Sequence, residues 1–418
     1  MAMKKDKNMA RCRICNKDAE IVVSFGRMPL ANNFLREEDD FSKEYFFDLA
    51  ALFCAHCKAF QLADHPAPEQ MFHDEYAFFS GTSKKMAEHF KVMAEDLFKN
   101  FMQYKTDSFI VELGSNDGIM LEHFALKAIR HLGIEPSLNV AHIARMKGVE
   151  TLVDFFNEKI ALDILKKYGQ ADVISAANVM NHIPDLSDVA RGIALLLKKD
   201  GVLVFEDPYA GDVIQKISYD QFYDEHIYMF SVESVRAIFE PHGFELFRVE
   251  PQTTHGGSLR YYLDFKGARP VEISVFEQER KEQSLGLDRL ETYYTFGKAC
   301  QKKRDDLLSL LQELKRQGKR VVGYAATAKS TTILNYSGIG TELIEYIGDT
   351  TPLKHGKFSP GMHIPIKPYE QLKEDNPDYR ILFAWNHTQE IFEKEENFVE
   401  KGGKWIVFSP ELKIISKE

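Results

Sequence analysis

With 418 residues, 44% of them hydrophobic, the chain is long enough for about three domains of roughly 150 residues, each with its own core. Its 53 Lys and Arg against 63 Asp and Glu leave a formal charge of −10, which excludes a general electrostatic attraction to nucleic acid or to anionic membranes. No run reaches the roughly 18 apolar residues a membrane span needs, and "MAMKKDKNMARC" has no apolar signal core, so a cytoplasmic protein without nucleic-acid or membrane partners is expected.

Four of the five cysteines fall into two tight pairs, Cys12 and Cys15 in "CRIC" and Cys54 and Cys57 in "CAHC". A C-x-x-C turn lets two thiolates converge on one tetrahedral ion, and two such turns close a structural zinc shell. The gap between the pairs is longer than in a zinc ribbon, so two separated turns supply the ligands. The lone Cys300 lies in a helical pattern and reads as a packed free thiol.

The spacing of "MAEHFKVMAEDLFKNFM" predicts a helix, and "FIVELGSNDGIMLEHF" then reads as a buried strand, a glycine-bearing turn and a helix start. Gly114 and Gly118 suit the tight turn, Glu112 ends the strand, and Asn116 and Asp117 stand at the helix entrance. About twenty residues on, "IRHLGIEPS" places Glu135 where an acid accepts ribose hydroxyls. "ADVISAANVMNHIPD", the helix "LSDVARGIALLLKKD" and the strand "GVLVFEDPY" continue the alternation, so a doubly wound α/β fold is expected. Three polar clusters follow strands and should share one crevice: "NVMNHIPD" with His182, "QFYDEHIYMF" with His226, and "HGGSLR" with His255, Ser258 and Arg260. After a charged helical stretch, "GKRVVGYAATAKSTTILNYSGI" repeats strand, small-residue turn and helix, with Lys329 and Ser330 where a helix N-terminus and a cation could hold a diphosphate, and Asn386 and His387 follow a later strand.

"VELGSNDG" with "GIEPS" resembles the first two motifs of class I S-adenosylmethionine-dependent methyltransferases. The resemblance implies that Glu112, Gly114, Asn116 and Gly118 hold the amino-acid part of that cofactor and Glu135 its ribose, with Asp117, Pro136 and Asn178 completing the cofactor set. Along its whole length the chain resembles the sugar 3-C-methyltransferases that act on nucleotide-linked 4-keto deoxysugars. The segments that carry this are "CRIC…CAHC", "EYAFFSGTS", "VELGSNDG", "NHIPD", "FYDEHIYMFS", "HGGSLR", "GYAATAKSTTILN", "PGMHIPI" and "WNHTQEI". Ser330 departs from the glycine of the family pattern.

That resemblance implies a zinc domain over 1–79, a Rossmann-like methyltransferase domain over 80–266 and a second Rossmann-like, nucleotide-sugar-binding domain over 267–418; the sequence does not set the oligomeric state, and a monomer is one expectation. It implies His226 as the base that removes the C3 proton of the keto sugar, with Glu225 beside it, and Tyr76, His182 and Tyr223 as hydrogen-bond donors to the enolate. Ser258, Arg260, Lys329, Ser330 and Asn386 are the expected substrate contacts. Three other readings stay open at this stage. An O- or N-methyltransferase would use the same cofactor domain, a zinc-containing nicotinamide oxidoreductase would share the fold pattern, and a zinc-anchored scaffold would bind sugar nucleotides without turnover.

Overall fold

The computed structural model describes residues 8–71, 81 and 84–417. Its N-terminal part is an antiparallel sheet in which β1 (Met9–Arg11), β2 (Asp18–Pro29), β3 (Phe46–Phe53) and β4 (Phe60–Leu62) pair in chain order. β3 is covered on both faces, which is why "FFDLAALF" is nearly continuously apolar. Leu49, Ala51 and Phe53 join a core shared with the long helix Leu290–Arg316, and Leu52 packs in a small cluster around the cysteines.

The central part contributes β5 (Phe109–Leu113), β6 (Arg130–Ile134), β7 (Thr151–Leu152), β8 (Ala171–Ala177), β9 (Leu197–Pro208), β10 (Tyr228–Met229), β11 (Phe244–Gln252) and β12 (Ser258–Phe265). Seven of them form one sheet in the order β11-β12-β9-β8-β5-β6-β7, parallel from β7 to β9, with β12 antiparallel to both neighbours. β10 leaves this sheet and pairs with β4, so the N-terminal sheet is completed by a strand from the central part. The helices open on caps that the sequence carries: Asn157 accepts from the Ile160 amide ahead of Glu158–Tyr168, and Asp185 from the Asp188 amide ahead of Leu186–Leu196. The second helix stops before the expected "LKKD", because Leu197 pairs with Ala171 and begins β9.

Two helices, Ile273–Leu285 and Leu290–Arg316, lead into a six-stranded sheet of β13 (Val321–Tyr324), β14 (Ile347–Asp349), β15 (Ile366–Pro368), β16 (Tyr379–Leu382), β17 (Lys404–Val407) and β18 (Lys413–Ile415). Its order is β15-β14-β13-β16-β17-β18, and only β18 runs antiparallel. In both large sheets the strand order therefore reverses beside the first strand, between β5 and β8 and between β13 and β16, and crevices for ligands open at such points. Cys300 is buried inside Leu290–Arg316, where desolvation raises its thiol, as expected for a packed residue. No helix among the described residues is long and apolar enough to cross a membrane.

The two C-x-x-C turns follow β1 and β3, and the four sulfurs of Cys12, Cys15, Cys54 and Cys57 all lie within 4.8 Å of one another. Cys12 and Cys57 approach to 3.4 Å and Cys15 and Cys54 to 3.5 Å, close to the sulfur separation of about 3.8 Å around a tetrahedral ion with bonds of about 2.3 Å. Gln61 donates to the Cys12 sulfur at 3.1 Å, an outer-shell bond that favours the thiolate. The donor set fits zinc. Replacing Cys54 by serine should release the metal and lower the unfolding midpoint of the N-terminal sheet; elemental analysis finding the zinc content of the variant equal to that of the native protein would count against this assignment.

Candidate functional site

The carboxyl ends of β5, β6 and β8 open into a cavity of about 850 Å³ that continues to the loops after β13, β14 and β16. At the central end the turn after β5 sets its shape. Gly114 has φ +62, and a Cβ there would stand 2.3 Å from Val179 Cγ2, so the chain can pass only as glycine. Asn116 follows at φ 48, and its amide donates to Glu135 Oε2 at 3.0 Å, while Oε1 accepts from the Ser137 amide at 2.9 Å. Gly114, Asn116, Glu135, Pro136 and Asn178 line the cavity.

Three residues expected on the cofactor stand behind this wall instead. Gly118 backs onto Ala144 and Val149, where a side chain would collide with the neighbouring helix. Asp117 turns away to accept from the Gly81 amide and to pair with Lys147 at 3.3 Å. Glu112 is buried under the turn, and its Oε2 has no hydrogen-bond partner among the described residues. Burial first, and then the nearby Asp117 and Glu135, raise the Glu112 carboxyl well above the usual range. Such a gathering of acids suits a cationic guest, and S-adenosylmethionine carries a sulfonium and an ammonium, so the residues present fit that cofactor. Beyond Glu135, Asp154, Phe155 and Phe156 also line the cavity. Sequence reasoning passed over them, although "DFF" after the short β7 is a signal of the kind used for the other clusters.

The middle of the cavity holds the histidines of all three polar clusters, His182, His226 and His255. His226 Nδ1 lies 2.8 Å from the Gln221 carbonyl and Nε2 lies 2.5 Å from the Tyr223 hydroxyl. A carbonyl can only accept, so Nδ1 carries the proton, Nε2 carries the lone pair and Tyr223 donates to it. His182 stacks on His226 with ring centroids 5.2 Å apart. Burial holds His226 well below the ordinary histidine value, helped by the neighbouring His182, Lys329 and His255, and it lowers His182 and His255 to about 3. All three are neutral near pH 7.

The expected pairing of Glu225 with His226 takes a different form. The Gln221 carbonyl fixes the imidazole tautomer, while Glu225 Oε1 accepts from Asn32 Nδ2 at 2.6 Å. Adjacent residues cannot easily face one another across a turn, and here Glu225 instead binds the N-terminal part to the cavity wall, which Asn32 also lines. Asp224 makes the parallel bond to the Ala31 amide at 2.9 Å; burial and the charge of Glu225 raise its carboxyl to about 8. Tyr76 lies outside the described residues.

At the far end, Lys329 and Asn386 line the cavity, joined by His387 and by Thr351 and Lys354, which the sequence did not single out. Lys329 Nζ is buried, reaches the His255 carbonyl at 3.4 Å and lies 5.1 Å from the centre of the Trp385 ring; desolvation lowers it, offset in part by Asp220. Ser330 is absorbed into the helix start, its amide donating to Thr327 Oγ1 and its hydroxyl to the Thr327 carbonyl. Ser258 and Arg260 do not reach the cavity. Ser258 bonds the Thr254 carbonyl, and Arg260 is closed in a buried pair with Glu206 at 2.8 and 2.9 Å, where His89 also binds. Breaking such a pair costs about 3–5 kcal/mol, so an Arg260 variant would report stability before it reported substrate.

Three sequence-family profiles match in succession: a zinc binding domain over residues 12–72, a methyltransferase domain over 86–249 and a C-methyltransferase C-terminal domain over 253–410. The C-methyltransferase NovU of Streptomyces niveus is 34% identical over 409 residues, 97% of either chain. This chain belongs to the S-adenosylmethionine-dependent C-methyltransferases with a zinc-binding N-terminal domain. A ubiquinone biosynthesis O-methyltransferase of Escherichia coli K12 is 26% identical over 98 residues, 23% of this chain and 41% of that one. Among solved structures, a methyltransferase from Anabaena variabilis aligns with 42% of this chain and 84% of its own at 16% identity and a TM-score of 0.34. In this family member the three neutral histidines set a spectroscopic expectation: with labelled imidazoles, none of His182, His226 and His255 titrates between pH 8 and 6, and His226 shows its proton on Nδ1. A midpoint near 6.5 for His226 would contradict the buried geometry.

Proposed function

We propose that this C-methyltransferase methylates C3 of a nucleotide-linked 4-keto-6-deoxy sugar through an enolate, with the sugar held beside the Tyr223–His226 pair. The observation that supports this most is the continuity of one cavity, which runs from the acidic turn after β5, past a neutral imidazole, to the buried Lys329 and the half-buried Lys354 in the C-terminal part. A sugar joined to a nucleoside diphosphate carries the anionic charge that the lysine end of that path suits.

Carbon methylation needs a carbon nucleophile, and a ketone at C4 acidifies the C3 hydrogen. His226 Nε2 takes that proton and the electron pair moves onto the C4 oxygen. The Tyr223 hydroxyl, which holds Nε2 in this structure, turns to the developing oxyanion and so frees the lone pair as it stabilises the charge. His182, neutral and stacked on His226, faces the same space as a second donor. Glu135, Asn116 and Asn178 hold the cofactor, which supplies an electrophilic methyl on sulfur when bound. Bound there, the cofactor would give its methyl to C3 as the C4 carbonyl re-forms, the methyl–sulfur bonding pair staying on sulfur in S-adenosylhomocysteine, and the proton on His226 returns to solvent after product leaves.

His226→Ala should bind S-adenosylhomocysteine nearly as the native protein does and yet lose turnover by roughly a hundredfold or more, the range for a positioned general base. Exchange of the C3 hydrogen for solvent deuterium, followed by NMR with S-adenosylhomocysteine in place of the methyl donor, isolates the step. Exchange in the variant as fast as in the native protein would remove His226 as the base, and a methyl found on oxygen or nitrogen would replace the proposal with the rival methyltransferase reading.

A further inference from the structure

The C-terminal sheet repeats the hydrogen-bonded corner that Glu135 makes in the central one. After β5, Gly114 has φ 62 and its amide donates to the carbonyl of Ile134, the residue before the acid. After β13, Ala325 has φ 71 and its amide donates to the carbonyl of Gly348, the residue before Asp349. Glu135 accepts one amide from the turn, Asn116, and one from two residues beyond itself, Ser137. Asp349 likewise accepts from Ala326 at 2.7 Å through Oδ2 and from Thr351 at 2.7 Å through Oδ1. The acid shorter by one methylene meets a turn whose donor stands one residue earlier, so the two corners close in the same way.

We propose that Asp349 is the acceptor for the sugar hydroxyls of the substrate's nucleoside, the counterpart of Glu135 for the cofactor's ribose; this rests on the substrate being nucleotide-linked. Each Asp349 oxygen accepts a single amide and keeps a second lone pair. The residue is buried yet lines the cavity, as Thr350 and Thr351 do. Lys354 stands beside it, 3.7 Å from Oδ2 and bonded to the Ala326 carbonyl, and Lys329 occupies the first turn of the helix Ala328–Ser337. An acid for the sugar and cations for the phosphates therefore follow one another along the wall. The hydroxyl bond to a carboxylate is charge-assisted, which makes its loss measurable.

Calorimetry with the five common nucleoside diphosphates on the full chain tests this. The best-bound diphosphate should weaken roughly tenfold or more when its 2′,3′-dideoxy form is used. Asp349→Asn should weaken the parent compound similarly and bind both forms alike, while its affinity for S-adenosylhomocysteine stays native; Glu135→Gln should do the reverse. Should Asp349→Asn fail to fold, the dideoxy comparison on the native protein still decides. Equal native affinity for the parent and dideoxy forms, or an Asp349→Asn variant that binds the parent as well as native protein, overturns the role of Asp349 and leaves the sugar-nucleotide reading standing. No binding of any diphosphate by native protein overturns both.

Discussion

Everything in the cavity hangs on the burial of one short segment, Asp220 to His226, among all three parts of the chain. Beyond the single 3-10 turn Tyr219–Gln221 it forms no regular element, so many of its polar groups find partners in other parts of the chain. Asp220 accepts from Trp385, the Phe222 carbonyl from Thr332, and Asp224 and Glu225 from Ala31 and Asn32. Ala31 is itself held at its carbonyl by Thr331. Gln221 binds the His255 carbonyl through its side chain and His226 through its backbone. These bonds are individually worth about 1 kcal/mol, but a single unpaired member in this buried setting would cost about 1–3 kcal/mol, so the three parts are locked in register around the imidazole.

The same burial sorts charge along the cavity. At the cofactor end the carboxyl groups of Glu112 and Glu135 are raised by desolvation, and at the far end the ammonium groups of Lys329 and Lys354 are lowered by it. Each end is strained toward neutrality and gains from a guest of opposite charge, the sulfonium and ammonium of the cofactor at one and, under the proposed function, the substrate's phosphates at the other. Between them the histidines stay uncharged. A charged imidazole there would repel the cationic end of the cofactor and could not accept a proton, so desolvation leaves the proposed base His226 able to take one and removes an obstacle to binding.

Much of this could be read from residues close in sequence. The paired cysteines, the turn "VELGSNDG", the acid in "GIEPS" and the alternation of strands and helices are local signals, and local geometry enforces them. The places where the sequence misled are those decided by distant partners. Arg260 is claimed by Glu206 from an adjacent strand and Asp117 by Lys147, so neither is left to face a ligand. Glu225 finds Asn32 across the domain boundary instead of its neighbour in sequence. Asp349 escaped notice because it ends the three-residue β14, too short to show a strand pattern in the sequence; the proposed role rests on which amides it accepts.

The most distant dependence runs from the metal to the base. Cys12 receives a bond from Gln61, whose side-chain carbonyl in turn accepts from the Arg13 amide, so the β4 residue is tied to the first cysteine turn. Gln61 pairs with Tyr228 in β10, and the next residue of β4, Leu62, donates to the carbonyl of Ile227. The Ile227 amide donates to Asn181, beside His182, so the residue directly after His226 is pinned from both sides. A zinc ion held by the four cysteines thereby fixes β10, which begins two residues after His226, the proposed base. A small antiparallel sheet has little core of its own, and a tetrahedral clamp is the cheapest way to make it rigid enough to hold an imidazole in place.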